Sequence, residues 1–565
     1  MTTELTSTFS DLCDPVRLFG PIFDKELRVS SRRRRNYLLR FGYILSLSIF
    51  ILFAWYSILG IRSSGSTVFL VSRLSQAGRQ IIATIVWFQF IAAQLIAIVM
   101  LSSSVSDEIH KGTLAVLMTT PISSFQVVTG KLLSKLLQLM LLLAISFPLL
   151  AIIRIFGGVT WDFVASSVCI TLSATFLAGA LSLLLSIAYR HAYTVILITI
   201  AVYMVFFGAL PGLFNMLAVK GMFIFNRQLT QSLLALTNPF VAFAAANAKF
   251  IQSGVPSFFS WPLHCLLMLG VSAVLIAISV WRVRKAAPAK TFGPSSKPWF
   301  AGAMEKMLNR IFFKAGSHSA DGSIIPVTGK PIIWREMRKG FIGQSRGEAA
   351  IFVLLTIAFL ISAVLLLFSS RRVSFLPQYL MYAFYLVAMV RMAVFSAGSI
   401  TAEKEARTWP VLLATPLEDR DIVRGKAIAA FRRNFPLLLL YIVLFSISYI
   451  KMAGIKSIIA IVLYILLTLA SSILFVIGSG LYFGTRFRAT TAAVAVTIGL
   501  YFAITFLFCG AFNPLNRLFI TFIMSMSRGG QWIYLGVTIT RCLVIGGAGL
   551  VFARYAVRRL RYDIF

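Results

Sequence analysis

Long apolar runs separated by short polar loops dominate this chain. Twelve runs approach the roughly 20 positions that a helix needs to cross a bilayer core. The predicted spans are residues 37–60, 81–105, 132–153, 163–186, 194–214, 263–281, 348–369, 378–400, 434–450, 458–483, 491–511 and 535–553. Strands of alternating polarity are absent from the pattern, which argues against a membrane β-barrel. The sequence therefore predicts an all-α polytopic membrane protein.

The pattern of spans and loops occurs twice. We assign residues 1–284 and 331–565 to two six-span repeats, and residues 285–330, rich in Pro, Gly, Ser and Lys, to a flexible cytoplasmic linker. Because six is even, both repeats have the same orientation, as in parallel repeats related by an axis along the membrane normal. We expect a pseudo-dimer with a central interface.

The polar loop after the second span has the most regular sequence pattern of the polar loops. Its first copy reads DEIHKGTLAVLMTTPISSFQVVTGK (107–131), and its second reads AEKEARTWPVLLATPLEDRDIVRGK (402–426), at a constant offset of 295 without gaps. The positions that we single out are Glu108, Gly112, Thr113, Leu117, Thr120, Pro121, Gly130 and Lys131 in the first copy, and Glu403, Thr408, Leu412, Thr415, Pro416, Gly425 and Lys426 in the second.

Each copy of this loop predicts a short helix. Apolar residues recur at helical spacing, proline follows, and Ser123 or Ser124 is placed to cap the next helix of the first copy. A short, stiff helix that lies across the ends of two spans can transmit a displacement of a cytoplasmic partner to the membrane helices. The alternative is an ordinary amphipathic turn at the lipid surface. We expect Glu108 to be an exposed acid that faces a basic patch on the partner.

A basic amphipathic segment precedes each repeat. Residues 20–35 carry four consecutive arginines after a short amphipathic part, and residues 331–338 echo residues 21–28. We predict an elbow helix in the cytoplasmic interface, with a simple positively charged anchor as the alternative. The charged residues of interest are Lys25, Glu26, Arg28, Arg335, Glu336 and Arg338.

The net charge of +35 does not indicate nucleic-acid binding, because most Lys and Arg lie on one side of the predicted spans. This is the positive-inside pattern, and it places the basic side and both termini in the cytoplasm. The partners expected from charge alone are membrane lipids with anionic head groups.

The motif E-x-x-x-G-T-L-x-x-L-x-x-T-P-I-S-x-x-x-V-x-x-G-K, read from Glu108 to Lys131, resembles the loop after the second span in type-2 permeases of ABC-type exporters. The layout of elbow helix, six spans and external segment is also similar to that group, which shares the ABCG fold. The resemblance implies a coupling helix that contacts two copies of a separate ATP-binding subunit, in the bacterial cytoplasmic membrane, with ATP and magnesium on that subunit. The second copy departs from the motif at Arg407, where the first has Gly112, and at Pro410.

The sequence contains no G-x-x-x-x-G-K-[ST] motif, so we expect this chain to bind no cofactor and to be no enzyme. Acidic residues are absent from the predicted spans, which disfavours an ion-coupled secondary transporter. That transporter and a non-transporting membrane scaffold remain the alternatives to an exporter permease, and the substrate stays open.

Three intramembrane polar residues are possible pathway residues: Gln89, Gln94 and Arg391. The alternatives are hydrogen bonds between helices for the glutamines and snorkelling towards the cytoplasm for Arg391. Residues 217–259, with a break at Asn238-Pro239, predict a re-entrant or interfacial helix pair on the external side.

Overall fold

The computed structural model is predominantly helical in the residues that it describes. These are residues 21–26, 28, 37, 40–45, 47–48, 67–111, 113, 116, 119, 122–157, 160–189, 192–219, 227–251, 260–289, 331–338, 354–364, 375–453, 458–509 and 530–560. Nearly all of the predicted linker and most of the first predicted span lie outside them. Within the described part, the all-α prediction is confirmed.

Sixteen described helices carry labels below. They are α1 (Thr67–Ser102), α2 (Ser106–Lys111), α3 (Ser124–Gly157), α4 (Trp161–Ala188), α5 (Ala192–Tyr203), α6 (Leu210–Val219), α7 (Arg227–Thr237), α8 (Pro239–Ile251), α9 (Trp261–Ala289), α10 (Pro331–Arg338), α11 (Phe375–Glu405), α12 (Trp409–Leu413), α13 (Asp419–Ala453), α14 (Ile458–Arg486), α15 (Thr490–Cys509) and α16 (Gly530–Arg559). A π-helical turn, Met204–Ala209, joins α5 to α6 in one continuous span.

Membrane-length helices occupy most of the predicted spans. Within the described residues, nine helices are long and apolar enough to cross a bilayer. Their spans are Ile85–Ser102, Ser124–Ile145, Trp161–Ala188, Ala192–Asn215, Trp261–Val283, Phe384–Glu405, Asp419–Ile447, Leu466–Arg486 and Ile539–Arg559. Shorter apolar helices, Leu354–Val364 and Thr490–Ile504, lie at the predicted seventh and eleventh spans. The chain is a multi-pass membrane protein, and the total of twelve spans stays a prediction.

The segment between α6 and α9, predicted to be external, contains two helices joined at a sharp bend. Helices α7 and α8 meet at 113° around Asn238-Pro239, the predicted break. The Asn238 side-chain oxygen accepts hydrogen bonds from the amides of Phe240 (2.9 Å) and Val241 (3.4 Å), and Pro239 occupies the first helical position, where its missing N–H costs nothing. The helix pair is therefore built by local capping chemistry, and its depth in the membrane stays a prediction.

The described helices belong to two compact units. Unit 1 comprises Met1–Ala192, Leu217–Pro288 and Phe502–Val537, and unit 2 comprises Tyr193–Met216, Ala289–Tyr501 and Thr538–Phe565. The fifth span of the first repeat thus packs within unit 2, where the Tyr193 ring lies 6.4 Å from the Phe395 ring of α11. The repeat boundaries remain a prediction from the sequence, because contacts divide the chain differently.

Small residues bring the second and fourth spans of each repeat together. In unit 1, the Ser182 hydroxyl of α4 donates to the carbonyl of Ile98 in α1 at 2.9 Å. In unit 2, a Cβ at Gly480 of α14 would lie 2.0 Å from the Ser396 hydroxyl of α11. Close backbone approach of this kind is the usual means of packing membrane helices, since lipid removes the hydrophobic driving force. This close packing holds the second span, whose end leads into the polar loop, against the fourth span in each repeat.

Candidate functional site

The first polar loop contains a buried ion pair. Lys131 of α3 is only 3% exposed, and its ammonium lies 2.5 Å from a carboxylate oxygen of Glu108 in α2. The same ammonium donates to the carbonyl of Ser104, at the end of the second span, at 2.6 Å. A buried charge needs such a paired and hydrogen-bonded setting. The lysine therefore joins the loop and the second and third spans.

The second loop builds the same arrangement from equivalent residues. The ammonium of Lys426, 2% exposed, lies 3.0 Å from Glu403 and donates to the carbonyl of Ser399 at 2.6 Å. The Trp409 ring of α12 lies 6.0 Å from that ammonium and adds a cation–π contact. We call each trio of lysine, glutamate and serine a lysine lock. The repeated sequence therefore produces a repeated structure.

A threonine on each loop reinforces the turn beside the lock. The Thr113 hydroxyl donates to the Glu108 carbonyl at 3.4 Å, and the Thr408 hydroxyl donates to the Glu403 carbonyl at 3.3 Å. Both threonine side chains are otherwise exposed. Their shared role in the turn explains why this residue type occurs in both copies.

The two loops differ in how the elbow segments reach them. In unit 2, the Arg335 guanidinium of α10 donates to Glu403 itself at 2.8 Å. In unit 1, the elbow residue Glu26 instead pairs with Lys135 of α3 at 3.2 Å. Arg28 bonds within its own segment to Asp24 at 3.0 Å. The elbow is thus tied to the glutamate of the lock in one unit and to the third span in the other.

Among the other elbow residues, Lys25 is exposed, and the side chains of Glu336 and Arg338 lie outside the described part. Both segments bury an isoleucine at the equivalent position: Ile22 is 7% exposed and Ile332 is 5% exposed. In unit 2, a Cβ on Gly425 would lie 2.6 Å from the Ile332 side chain, so the glycine before the lysine is needed for close packing of α10. Its counterpart, Gly130, is also buried.

Each loop carries a strongly exposed aliphatic residue. Val116 is 66% exposed and Val411 is 71% exposed, and they are equivalent at the offset of 295. The sequence pattern pointed to neighbouring positions and not to this pair; of those neighbours, Leu412 and Thr415 are half-buried, and Pro416 is exposed. Four selected positions lie outside the described residues: Gly112, Leu117, Thr120 and Pro121. The common offset was the signal that could have identified the valines.

The second loop has a strained backbone position. Arg407 adopts a φ of 58°, which is in the left-handed region that favours glycine. The equivalent position in the first copy is Gly112. The second loop therefore departs from the motif at a position whose backbone conformation glycine adopts most easily.

The expectation that Glu108 is an exposed acid is wrong. Its side chain is only 23% exposed and is turned towards the buried Lys131, because an unpaired ammonium at that depth would be costly.

The predicted cap of the following helix is confirmed for Ser123. The Gln126 amide donates to the Ser123 hydroxyl, and the Ser123 amide donates to the Gln126 side chain, both at 3.2 Å, which is a capping box.

The three intramembrane polar residues are all buried, with exposures of 5% for Gln89, 4% for Gln94 and 5% for Arg391. The Gln94 amide donates to the Phe90 carbonyl of its own helix at 3.2 Å. The Arg391 guanidinium carbon lies 5.4 Å from the centre of the Phe395 ring. Their place in a translocation path stays a prediction.

Comparison with known proteins identifies the family. A family model described as "ABC-2 family transporter protein" matches residues 21–286 and 373–523, which include both polar loops. No curated protein matches the chain. The match covers more than half of the sequence in two segments, as expected for two fused permease halves, and it confirms the resemblance to type-2 permeases. The chain belongs to the ABC-2 family of transporter proteins and is a membrane permease component.

Proposed function

We propose that this permease forms the translocation path of an ATP-driven exporter in the bacterial cytoplasmic membrane. Its two polar loops dock two copies of a separate ATP-binding subunit, which holds ATP and magnesium, while the chain itself catalyses nothing. The observation that carries the proposal is the pair of equivalent loops, each with a lysine lock and a strongly exposed valine.

The lysine lock is suited to transmit force. In the first loop, the Lys131 ammonium of α3 bonds the Glu108 carboxylate of α2 and a carbonyl at the end of the second span. In the second loop, the Lys426 ammonium of α13 bonds a carboxylate and a carbonyl that both belong to α11. Each lysine thus joins the second span to the third, so a displacement at the loop acts on two membrane helices together. A flexible turn at the lipid surface would need no such buried connection, which carries a desolvation cost.

The exposed valines are suited to bind a protein partner. A single exposed aliphatic side chain is ordinary on a protein surface. Two at equivalent positions, on loops that each contain a lysine lock, favour a repeated contact. Outward transport of an as yet unidentified substrate follows from the family resemblance, with ATP-dependent closure of the partner moving the loops.

The experiment is substitution of the loop valines. We expect Val116→Asp and Val411→Asp each to weaken binding of the ATP-binding subunit by roughly ten-fold, as for a central apolar contact, and the double variant to abolish co-purification and permease-stimulated ATP hydrolysis. Tyr555→Asp is the matched control, because Tyr555 is 53% exposed at the end of α16, outside both loops. Full binding by the double variant, with Tyr555→Asp unchanged, would show that the loops are not docking points.

A further inference from the structure

Two neighbouring residues at the end of α11 bond the two sides of the turn between α14 and α15. The Lys404 ammonium donates to the carbonyl of Thr485, in the last turn of α14, at 2.5 Å. The Glu405 carboxylate accepts a hydrogen bond from the amide of Thr490, the first residue of α15, at 2.7 Å. We call Lys404 and Glu405 the clasp. The clasp therefore joins α11 to two further helices of unit 2.

The charges of the clasp match the helix ends that they contact. The last carbonyls and the first amides of a helix lack partners within it, so its C-terminal end is partly negative and its N-terminal end partly positive. The lysine cation lies at the C-terminal end of α14, and the glutamate anion lies at the N-terminal end of α15. Glu405 is also the last residue of α11, where the dipole of its own helix disfavours an acid. The contact with α15 therefore explains its position.

The clasp continues the lysine lock of the second loop. Glu403, the preceding residue of α11, lies 3.0 Å from the ammonium of Lys426 in α13. Successive residues of an α-helix point about 100° apart, so three in a row can reach three different neighbours. A Cβ on Gly484 would lie 2.9 Å from the Ala397 carbonyl oxygen, which shows how closely α14 packs on α11 beside the clasp. The last three residues of α11 thus contact α13, α14 and α15 in turn.

The first loop does not carry the two charges of the clasp. At the offset of 295, the positions of Lys404 and Glu405 are occupied by Ile109 and His110, directly after Glu108. An isoleucine side chain donates no hydrogen bond, and a histidine side chain carries no negative charge. The sequence of the first loop therefore supplies a lysine lock but not a clasp.

We propose that Lys404 and Glu405 are positioning residues that transmit a displacement of the second docking loop to α14 and α15. The inference rests on the proposed function, because the displacement comes from the ATP-binding subunit. A docked subunit that moves the end of α11 moves α13 through the lysine lock, and α14 and α15 through the clasp. The second loop thereby acts on four helices, and the two docking events have unequal effects on the permease.

Amide hydrogen exchange in the complex of the full chain with its ATP-binding subunit tests the clasp. We expect a non-hydrolysable ATP analogue to change exchange both in the second loop and in residues 485–492. In the double variant Lys404→Met, Glu405→Met, the change in the second loop should remain, and the change in residues 485–492 should disappear. The affinity for the ATP-binding subunit should stay the same, whereas permease-stimulated ATP hydrolysis should fall by roughly three- to ten-fold.

Three further variants separate the role of the clasp from a general effect of charge. Lys404→Arg keeps a cation at the end of α14 and should keep the response of residues 485–492. Arg488→Gln removes an exposed charge from the same turn and should behave as the unaltered chain. The swap Lys404→Glu, Glu405→Lys keeps the net charge but reverses both matches with the helix ends, so it should lose the response.

The outcomes distinguish the clasp from docking itself. A response of residues 485–492 that persists in the Met double variant, or that is absent from the unaltered complex, would overturn the clasp and leave the proposed function intact. Weaker binding of the ATP-binding subunit by that variant would also overturn it, because the two residues would then be docking contacts. An unaltered chain that binds no ATP-binding subunit would refute the proposed function and this inference together.

Discussion

The lysine locks predict unequal effects of the same substitution in the two loops. Lys131→Met leaves the Glu108 carboxylate without its buried counterion, whereas Lys426→Met leaves Glu403 still bonded to Arg335 at 2.8 Å. Breaking a buried ion pair by removing one partner costs about 3–5 kcal/mol. We therefore expect a loss of this size for Lys131→Met. Because Arg335 is 47% exposed, its remaining bond offsets only about 1 kcal/mol in the Lys426→Met variant.

A double-mutant cycle isolates the pair itself. Glu108→Gln should also destabilise the chain, because the buried Lys131 ammonium then loses its negatively charged partner. The combination of Lys131→Met and Glu108→Gln removes both buried charges, so it should cost less than the sum of the single changes. We expect a coupling energy between about 0.5 and 3 kcal/mol, as for residues in direct contact.

The assay is the free energy of unfolding of the purified chain, from titration with SDS in mixed micelles followed by circular dichroism. Additive effects of Lys131→Met and Glu108→Gln would refute the lysine lock as a source of stability. An Lys426→Met variant that loses more stability than Lys131→Met would refute the compensating role of Arg335. Charge reversal at Glu108 alone cannot identify a docking charge, because it also breaks this internal pair.

Two further predictions concern backbone positions in the second loop. Arg407→Gly should raise the unfolding free energy by up to about 1 kcal/mol, because it relieves a left-handed φ of 58°, and a fall in stability would contradict that strain. Gly425→Ala should lower it by about 1–3 kcal/mol, because the added Cβ would lie 2.6 Å from the Ile332 side chain. Gly499→Ala, where no atom lies within 4 Å of the added Cβ, is its control and should be neutral or stabilising; equal effects of the two changes would refute close packing of α10 at Gly425.

The length of the apolar runs predicted most of the helices, because the thickness of a bilayer sets how many apolar residues a helix needs to cross it. The break at Asn238-Pro239 and the cap at Ser123 were also predictable, since both depend on a few neighbouring residues. The packing of residues 193–216 within unit 2 was not predictable, because a local sequence pattern does not determine which helices pack together in lipid.

The candidate site was only partly predictable for a similar reason. The offset of 295 identified Glu108 and Lys131 as repeated residues, but their pairing depends on how the loop folds back on α3. The bond from Arg335 to Glu403 joins residues that are 68 positions apart, and the first repeat makes no equivalent bond in the described part of the chain. Repetition therefore identified equivalent residues, and only the three-dimensional arrangement showed what each of them contacts.

Photo-crosslinking from the two exposed loop valines tests docking of the ATP-binding subunit most directly. Benzoylphenylalanine is placed at Val116, at Val411 and at both, with Tyr555 as the exposed control position, and the complex is irradiated before denaturing electrophoresis. We predict that each loop position captures one ATP-binding subunit, that the double variant captures two per chain, and that Tyr555 captures none. A double variant that captures no ATP-binding subunit, or never more than one, would contradict two equivalent docking loops.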